Sequence, residues 1–479
     1  MAALETKRKL LRTFGQEHLL TFYDELDRAS QSALLEQISG IDFEQLTGLI
    51  RSHVLSEPTA GIPANPSPAP ILPSRPADEV SSNSYHRARR RGEELISTGR
   101  VAGFVVAGGE GTRLGFDGPK GCFPVTPVRH KSLFQVFAEQ ILSAVRRYGA
   151  TIPWYIMTSQ TNDGATREFF NENNYFGLNR RDVFLFTQGQ MPVTDLNGKI
   201  LLSDKGSIAF SGEGHGGCLS ALRQSGALDD MAARGIEYIS YFQVDNPLNH
   251  CIDPLFIGLT ADVCAEMSAK AIPKRGPMEK LGNFCMVDGK VTVIEYSDLP
   301  EEAARQTKRD GSLVFSSGSI AIHILSRRFV ERLTADGHCR LPFHRAIKKS
   351  AYIDPSGTLV EPAEPNAVKF ERFVFDAMPL AEKVVVLETL RSEEFSPVKN
   401  ADGEGSPATS IRDQVRRAAR WLESAGLTVP KNDDGEPDAV IEISPLLASD
   451  AEQLAENIDP NLKIKAGENV YLDTPSPER

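Results

Sequence analysis

The sequence is organised around a glycine-rich segment that follows an apolar, β-branched run. The run covers residues 101–106, VAGFVV, and predicts a buried strand. Glycines and two cationic side chains crowd the next residues: Gly108, Gly109, Gly111, Arg113, Gly115 and Lys120. Glycine allows the backbone to bend sharply and to approach a ligand closely, and the N–H groups of such a loop can bind an anion. The segment therefore predicts an anion-binding loop at the end of a strand.

Two common phosphate-binding loops are excluded by their spacing. A dinucleotide-binding fingerprint that used Gly109 and Gly111 would need a glycine at the position of Leu114. A P-loop ends in Gly-Lys-Ser or Gly-Lys-Thr, and the segment contains no such triplet. The alternative is a glycine-rich turn that joins a strand to a helix without binding a ligand. The two cations favour the anion site, because a simple turn does not need them.

Length and composition predict a globular chain with one large core and one or two smaller lobes. The 479 residues are 41% hydrophobic and 24% charged, and the net charge of −11 argues against a nucleic-acid partner. No run approaches about eighteen apolar residues, and the N-terminus lacks a signal-peptide core, so we expect no membrane partner. The six cysteines contain no Cys-x-x-Cys pair. They predict reduced thiols and a cytoplasmic protein.

The order of the elements predicts three parts. Helical periodicity over residues 5–54 and a proline-rich stretch over residues 58–76 indicate a helical N-terminal segment with an extended linker or strap, together residues 1–80. Alternating strands and helices predict an α/β main domain over residues 81–395, with right-handed βαβ units and a mostly parallel sheet flanked by helices. Within it we expect a helix over residues 84–98, a helix capped by Ser132, a strand over residues 264–271 and a hairpin turn at Asp288 and Gly289. A looser, more acidic composition predicts a small C-terminal domain over residues 396–479.

An acidic residue stands at the end of a later apolar strand. Val244, Asp245 and Asn246 follow the apolar run that begins at residue 236. Ligands bind at the carboxyl ends of the strands in sheets of this type, and a carboxylate there is well placed to hold a divalent cation. The alternative is that Asp-Asn-Pro simply ends the strand in a turn.

The loop also carries a resemblance to a known family. Its sequence, AGGEGTRLGFDGPKG, resembles the signature of sugar-nucleotide pyrophosphorylases, which join a sugar 1-phosphate to a nucleoside triphosphate. Further motifs follow in the same order, among them PWYIMTS (153–159), VDN (244–246) and FSPVKNADG (395–403). Together they are similar to the eukaryotic-type UDP-sugar pyrophosphorylases, and more to the UDP-N-acetylhexosamine branch than to the UDP-glucose branch. The resemblance covers about residues 85 to 410 and implies a Rossmann-like nucleotide-diphospho-sugar transferase fold.

The resemblance implies which residues handle the phosphates. Arg113 and Lys120 would hold the triphosphate of UTP, and Lys399 would reach the phosphates from the C-terminal side. Asp245 would bind Mg²⁺. We expect no catalytic base, because the second pKa of a sugar phosphate is about 6 and the attacking oxygen is already anionic near neutral pH. Cations and N–H groups would instead offset the repulsion between two polyanions and hold attack in line at the α-phosphorus.

The resemblance also implies residues for the nucleoside and the sugar. Gln188 would read the uracil edge, because its amide offers both a donor and an acceptor. The loop residues would lie against uridine, and two further residues would lie beside the nucleoside: Ala107, Gly108, Gly109, Gly111, Thr112, Gly214 and His215. The sugar would contact Gly282, Glu295 and Ser317. Two phenylalanines would wall its pocket, Phe373 and Phe375, although a Phe-x-Phe strand is by default core packing.

The sequence departs from the family at two positions that bear on the sugar. The N-acetylhexosamine enzymes usually have Gly-Asn-Gly-Gly where this chain has GHGG at residues 214–217, and Asn-Ala-Gly-Asn where it has SSGS at residues 316–319. Serine has a shorter reach than asparagine and lacks the amide donor. We therefore expect UTP and N-acetylglucosamine or N-acetylgalactosamine 1-phosphate as substrates, in a monomer or weak homo-oligomer. The alternatives are glucose or galactose 1-phosphate as the sugar, and a non-catalytic nucleotide-sugar sensor.

Overall fold

The computed structural model describes residues 2–56, 66–335, 337 and 339–474. The first part of the proline-rich stretch, residues 58–65, lies outside the described residues. None of the described helices combines the length and the apolar character needed to cross a membrane.

The chain is divided into two compact units, each assembled from separate stretches of sequence. The smaller unit takes residues 1–62, 188–219 and 339–376, and the larger unit takes residues 63–187, 220–338 and 377–479. The domain boundaries predicted at residues 80 and 395 stay predictions.

The described residues form fourteen α-helices, which are numbered in chain order: α1 (Ala2–Thr13), α2 (Arg28–Ser39), α3 (Phe43–Leu49), α4 (Glu79–Ser97), α5 (Leu133–Tyr148), α6 (Asp163–Glu172), α7 (Cys218–Gln224), α8 (Ala227–Ala233), α9 (Pro254–Asp262), α10 (Glu301–Ala304), α11 (Arg327–Leu333), α12 (Arg391–Glu394), α13 (Pro407–Ser424) and α14 (Ala451–Asn457).

The same residues form twenty-one strands: β1 (Ser67–Pro68), β2 (Val101–Val106), β3 (Trp154–Thr158), β4 (Val183–Thr187), β5 (Gln190–Pro192), β6 (Thr194–Asp195), β7 (Leu202–Asp204), β8 (Ser207–Ile208), β9 (Phe210–Gly212), β10 (Tyr238–Gln243), β11 (Met267–Pro273), β12 (Asn283–Val287), β13 (Lys290–Ile294), β14 (Ser317–Ser326), β15 (His344–Lys348), β16 (Tyr352–Ile353), β17 (Leu359–Val360), β18 (Ala367–Glu371), β19 (Val384–Glu388), β20 (Ala439–Ile443) and β21 (Glu468–Leu472).

A ten-stranded sheet forms the centre of the larger unit and confirms the predicted α/β class. Its main order is β1-β12-β14-β10-β2-β3-β4, and the strands β10, β2, β3 and β4 are all parallel. The predicted parallel arrangement therefore holds where the glycine-rich loop lies. The strand β14 instead runs antiparallel to both β10 and β11, and β11 continues in parallel to β19.

The parallel pairing of β2 and β10 brings two sequence features to one edge of this sheet. Val106 pairs with Gln243 at the carboxyl ends of the two strands. The glycine-rich loop begins directly after β2, and Asp245 is the second residue after the end of β10. Both features thus lie at the edge where open α/β sheets bind their ligands.

Helices cover the buried strands of the larger unit because their apolar faces match the sheet. The helix α5 begins where the Ser132 side chain accepts the N–H of Gln135, as predicted, and it ends at Gly149 with a φ of 64°. Its residues Phe134 and Phe137 are fully buried and pack on Trp154 of β3 and Phe242 of β10. These contacts fix the layer of helices on one face of the sheet.

The smaller unit has its own core. The sheet β15-β18-β6 lies in this unit with the helices α1, α2 and α3. Apolar side chains from the helices, such as Leu11 and Leu34, are buried in one cluster with Ile200, Val368 and Phe370. The helical N-terminal segment expected over residues 5–54 is therefore confirmed, and it contributes to a core with later parts of the chain.

The C-terminal part of the larger unit combines α13, α14 and the parallel pair β20–β21. Trp421, Leu422, Ile441 and Leu454 are buried in its own cluster. The Glu442 carboxylate accepts the backbone N–H groups of residues 128 and 129 at 2.8 and 2.7 Å, and so fastens this part to the rest of the unit.

Element boundaries differ from expectation where capping or a backbone conformation decides them. The helix expected from residue 84 begins at Glu79, because Asp78 and Ser81 form a capping box. The strand expected from Cys264 begins at Met267, and Cys264 itself has a φ of 52°. The hairpin predicted at Asp288 and Gly289 is confirmed, since both residues have positive φ between β12 and β13.

Candidate active site

The glycine-rich loop folds back on itself after β2. Gly111 N–H donates to the Gly118 carbonyl at 2.8 Å, and Lys120 N–H donates to the Gly109 carbonyl at 3.0 Å. Gly115 turns the chain with a φ of 69°, which side chains rarely tolerate. A Cβ added to Gly109 would meet no atom of the described residues within 4 Å. The space beside Gly109 is therefore open.

A buried asparagine holds the base of this loop, and sequence reasoning missed it. Asn162 is 1% exposed, and its Nδ2 donates to the carbonyls of Ala107 at 3.0 Å and Gly109 at 3.3 Å. Its Oδ1 accepts the N–H of Ser159 at 2.8 Å, just after β3. The sequence pattern that could have revealed Asn162 is a polar residue just after a buried strand. That strand is β3, which lies next to β2, the strand that carries the loop.

Three cations and one carboxylate gather near the end of β2 and β10. Burial lowers the pKa of Lys120, the charge of Asp245 raises it, and the charges of Lys399 and Arg113 lower it further. Lys399 Nζ lies 3.7 Å from Asp245 Oδ2. Lys399 and Asp245 thus lie side by side, and Lys120 is influenced by their charges and by that of Arg113; these are the four residues that the resemblance assigns to phosphates and metal.

These four side chains differ in how firmly the protein holds them. The Asp245 side chain is 13% exposed, whereas that of Lys399 is 52% exposed. Arg113 and Thr112 are exposed on the short 3₁₀ turn within the loop. Exposed cations near a buried carboxylate remain available to a polyanionic ligand.

Three of the residues predicted for the sugar, Gly282, Glu295 and Ser317, lie in the larger unit. Ser319 N–H donates to the Gly282 carbonyl at 2.8 Å, which joins the β12 and β14 ends. A Cβ added to Gly282 would lie 2.5 Å from Val293 Cγ1 and 3.3 Å from Glu295 Oε1. Gly282, Glu295 and the segment that contains Ser317 are therefore neighbours, and glycine is required at residue 282 by close packing.

The predicted residues of the smaller unit form an aromatic group beside a glycine turn. His215 stacks on Phe373 with ring centres 5.3 Å apart, and Phe373 lies 5.2 Å from Phe375. The N–H of Val374 donates to His215 Nδ1 at 3.2 Å, so the other ring nitrogen, Nε2, carries the proton in the neutral form. Phe375 is 7% exposed, whereas Phe373 is half-buried.

Gln188 and Gly214 lie close to this turn in the smaller unit. A Cβ on Gly212 would come within 2.5 Å of Gln188 Nε2, so a glycine here makes room for the amide. Gly214 has a φ of 76°, and a Cβ there would lie 2.6 Å from the Arg372 carbonyl oxygen. The glycines of this turn therefore allow it to pack tightly on the segment that follows β18.

A buried ion pair supports the same turn and was not predicted. Arg372 Nη1 lies 2.9 Å from Glu213 Oε2, and Arg372 also lies over the Phe343 ring at 3.9 Å. Burial raises the pKa of Glu213, and the charge and hydrogen bond of Arg372 lower it again in part. In the sequence each residue resembles an ordinary charged surface residue, so only the contact between the two in the structure identifies the ion pair.

Asp245 offers a single carboxylate to a metal ion. Among the described residues, one group of three side chains has its potential ligand atoms within 4.8 Å of one another, and this group is His250, Asp253 and Glu394. The Lys270 ammonium already binds both of those carboxylates, at 2.6 and 2.5 Å. Asp245 is outside that group and offers one carboxylate, which suits Mg²⁺ because this ion often binds one or two carboxylates together with phosphates.

Comparison with known proteins agrees with the geometry. The family model for UTP–glucose-1-phosphate uridylyltransferase matches residues 74–404. UDP-N-acetylhexosamine pyrophosphorylase-like protein 1 of Homo sapiens is 38% identical over 483 aligned residues, covering 95% of this chain and 94% of that protein. UDP-N-acetylglucosamine pyrophosphorylase of Saccharomyces cerevisiae is 35% identical over 472 residues, covering 94% and 96%.

A solved structure gives the same result. The uridine diphosphate N-acetylglucosamine pyrophosphorylase of Trypanosoma brucei, crystallised with an inhibitor, superimposes with a TM-score of 0.81 at 27% identity and covers 98% of both chains. The predicted fold, family and uridylyltransferase class are thus confirmed. The chain belongs to the UTP–glucose-1-phosphate uridylyltransferase family, the eukaryotic-type UDP-sugar pyrophosphorylases.

Proposed function

We propose that this protein forms UDP-N-acetylglucosamine or UDP-N-acetylgalactosamine and pyrophosphate from UTP and the matching sugar 1-phosphate. A phosphate oxygen of the sugar attacks the α-phosphorus of UTP, and the bond between that phosphorus and the β-phosphate oxygen breaks to release pyrophosphate. The observation that carries the proposal is the gathering of Lys120, Asp245 and Lys399 at the carboxyl ends of β2 and β10.

The cations act on the repulsion between the two substrates. At an effective dielectric constant of about 20, two unit charges about 4 Å apart interact by about 4 kcal/mol. Lys120, Lys399 and Arg113 offset part of this repulsion and orient the phosphates for in-line attack. Proton transfer to a catalytic base is unnecessary, because the sugar phosphate is already anionic at neutral pH.

We propose Mg²⁺ as the cofactor, held by Asp245. When bound, the ion neutralises charge on the phosphates and makes pyrophosphate a better leaving group. Asp245 supplies one carboxylate oxygen, and Lys399 beside it balances the charge of that carboxylate when Asp245 does not hold the ion.

The other predicted residues keep the roles that the resemblance assigns to them. In the larger unit, uridine is contacted by residues of the glycine-rich loop: Ala107, Gly108, Gly109, Gly111 and Thr112. In the smaller unit, Gln188 reads the uracil edge, and Gly214 and His215 contact the nucleoside. The sugar residues are Gly282, Glu295, Ser317, Phe373 and Phe375.

The names of the relatives support an N-acetylhexosamine as the sugar. Glucose 1-phosphate or galactose 1-phosphate is the second candidate. The observation in its favour is that hydroxyls replace amides at Ser316 and Ser319, and the N–H of Ser319 donates to the Gly282 carbonyl at 2.8 Å. A hydroxyl has a shorter reach than an amide, so the pocket offers a different set of donors to the substituent of the sugar.

A UTP-dependent assay of pyrophosphate release tests the function and the sugar together. We expect release with N-acetylglucosamine or N-acetylgalactosamine 1-phosphate and at least about tenfold lower kcat/KM with glucose and galactose 1-phosphates. The reverse order would establish the second candidate. Tight UDP-sugar binding without release for any of the four sugars would indicate a nucleotide-sugar sensor and would overturn the proposal.

We further propose a cytoplasmic location and a monomer or weak homo-oligomer. None of the six cysteines, all of which lie among the described residues, forms a disulfide bond, which suits a reducing compartment. Cell fractionation tests the location, and light scattering over a range of protein concentrations tests the assembly state.

A further inference from the structure

We propose that Asn246 is a positioning residue for the phosphate site, because it fastens the segment 394–398 to the end of β10 and thereby places Lys399 beside Asp245. The proposal deepens the function proposed above and rests on it. Asn246 does not touch the substrate in this proposal, and its effect on turnover passes through Lys399.

The side-chain amide of Asn246 is buried and fully used. It is 3% exposed, and Nδ2 donates to the Glu394 carbonyl at 2.7 Å and to Asn249 Oδ1 at 2.7 Å. Oδ1 accepts the N–H of Ser396 at 3.0 Å and that of Leu248 at 3.3 Å. Two donors and two acceptors are all an amide side chain offers. A replacement side chain at residue 246 that lacks the donor or the acceptor therefore cannot make all four hydrogen bonds.

Every second residue of the segment 394–398 forms a backbone hydrogen bond to residue 245 or 246. The Glu394 carbonyl and the Ser396 N–H bind the amide of Asn246, and the Val398 N–H donates to the Asp245 carbonyl at 2.7 Å. Lys399 comes next and has its N–H bound to the Gly405 carbonyl at 2.7 Å. Since the Lys399 side chain is 52% exposed, its position depends mainly on where this backbone is held.

A buried network fixes the other end of the segment. The Glu394 carboxylate is bound by the Lys270 ammonium at 2.5 Å and by the Thr389 hydroxyl at 2.7 Å. Lys270 is 1% exposed and also binds Asp253. Glu394 is thus anchored without Asn246, so loss of the amide should free the part from Ser396 to Lys399 without releasing the whole segment.

The test combines kinetics with a direct measure of the segment. In the full chain, Asn246→Ala should lower kcat by at least about tenfold and change KM for UTP by less than about threefold. In a Lys399→Ala background, measured with radiolabelled UTP to follow slow turnover, the same substitution should lower kcat by less than about twofold. An equal fall of kcat in both backgrounds would overturn the proposal, because it would show that Asn246 acts independently of Lys399.

Amide hydrogen exchange supplies the second measurement. Asn246→Ala should speed exchange at Ser396 and Val398 by at least about tenfold, and unchanged exchange there would also overturn the proposal. If Asn246→Ala does not fold, Asn246→Leu replaces it, because leucine is similar in size but neither accepts the Ser396 N–H nor donates to the Glu394 carbonyl. Should wild-type protein release no pyrophosphate, the proposed function fails, whereas the exchange result still decides the role of Asn246 in holding the segment.

Thr334→Ala is the matched control. Thr334 is 1% exposed at the end of α11, and its hydroxyl donates to the Val330 carbonyl at 2.7 Å. We expect a similar loss of thermal stability and less than about threefold change in kcat. A fall in kcat as large as that of Asn246→Ala would assign the effect to a general loss of stability and would count against the proposal.

Discussion

Arg372 and Glu213 form a buried ion pair that is reinforced by their backbones. The side-chain atoms Nη1 and Oε2 lie 2.9 Å apart, and the side chains are 6% and 16% exposed. Arg372 N–H donates to the Glu213 carbonyl at 2.6 Å, and Gly216 N–H donates to the Arg372 carbonyl at 2.8 Å. The pair therefore fastens the turn that carries His215 to the segment that carries Phe373.

Removing the charge of Arg372 should therefore destabilise the folded protein. We expect Arg372→Met to lower the free energy of unfolding by about 3 kcal/mol, because it leaves the Glu213 carboxylate buried without its partner. Chemical denaturation followed by circular dichroism measures the change. The control is Arg8→Met, since Arg8 and Glu5 form an exposed pair at 3.5 Å, and it should cost less than about 0.5 kcal/mol. Equal effects of the two substitutions would contradict this account.

The loop anchor at Asn162 leads to a prediction about binding. Asn162→Ala removes the bonds to the Ala107 and Gly109 carbonyls, so the loop should become less ordered. We expect KM for UTP to rise by about tenfold, since binding must then order the loop. Asn171→Ala on α6 is the control and should leave KM within about twofold. An unchanged KM for Asn162→Ala would show that the loop holds its shape without this side chain.

The cations of the loop should affect turnover more than folding. Arg113→Ala and Lys120→Ala should each lower kcat/KM by about 100-fold, which corresponds to about 2.7 kcal/mol. Thermal denaturation should change little, because Arg113 is exposed. Lys463→Ala, an exposed lysine of the same unit, is the control for loss of charge. Undiminished turnover in either loop variant would remove that residue from the proposed mechanism.

The proposed metal leads to a prediction about Asp245. Chelation by EDTA should abolish pyrophosphate release, and added Mg²⁺ should restore it. Asp245→Asn keeps the shape of the side chain but removes its charge, so half-maximal activity should need at least about tenfold more Mg²⁺. Asp262→Asn, a change to an exposed residue at the end of α9, should leave the Mg²⁺ requirement unchanged. Full activity of wild-type protein in EDTA would rule out the metal.

The buried network around Lys270 predicts a dependence of stability on pH. Burial opposes ionisation of Asp253, but the charges of Lys270 and His250 and several hydrogen bonds outweigh it and lower the pKa of Asp253 to about 2. Because the pKa of Asp253 is lower in the folded state, its ionised carboxylate stabilises the protein at pH values above the unfolded-state pKa of about 3.9. This stabilisation is lost as the pH falls to about 2. The shift is equivalent to about 2–3 kcal/mol.

Asp253→Asn tests this dependence. It should lower the free energy of unfolding by about 2–3 kcal/mol at pH 7, and the difference from wild type should shrink as the pH falls from about 4 to about 2. Urea denaturation at a series of pH values measures it. The exposed substitution Asp262→Asn serves as the control and should show no such convergence. A difference that stays constant over this range would mean that Asp253 acts by packing alone.

The features that sequence reasoning predicted depend on local patterns. The run VAGFVV is buried on nearly all sides and forms β2 as expected, and Ser132 caps α5 because capping involves residues three apart. Lys120, Asp245 and Lys399 were assigned through motifs of the family, and the pairing of β2 with β10 then brings the first two together. Predictions from such local patterns and motifs are correct because they do not depend on the rest of the chain.

The features that it missed depend on contacts between distant residues. Asn162 holds a loop more than fifty residues earlier in the sequence, and Arg372 finds Glu213 across 159 positions. The position of Asn162 just after a buried strand is a weak signal, and nothing near Arg372 in the sequence distinguishes it from a surface charge. The smaller unit is likewise made of three separate stretches, and periodicity within any one stretch does not reveal its companions.

The segment that follows the proline-rich stretch has a consequence for self-association. Ala69 N–H donates to the Phe284 carbonyl of β12, and Leu72 exchanges two hydrogen bonds at 2.8 Å with Val386 and Glu388 of β19. The strand β19 pairs with β11 on its other side, so Leu72 occupies backbone groups that would otherwise be free to recruit a strand from another molecule. Prolines on either side of Leu72 lack the N–H needed to extend that ladder. By occupying this edge, residues 66–76 protect the large sheet against edge-to-edge aggregation.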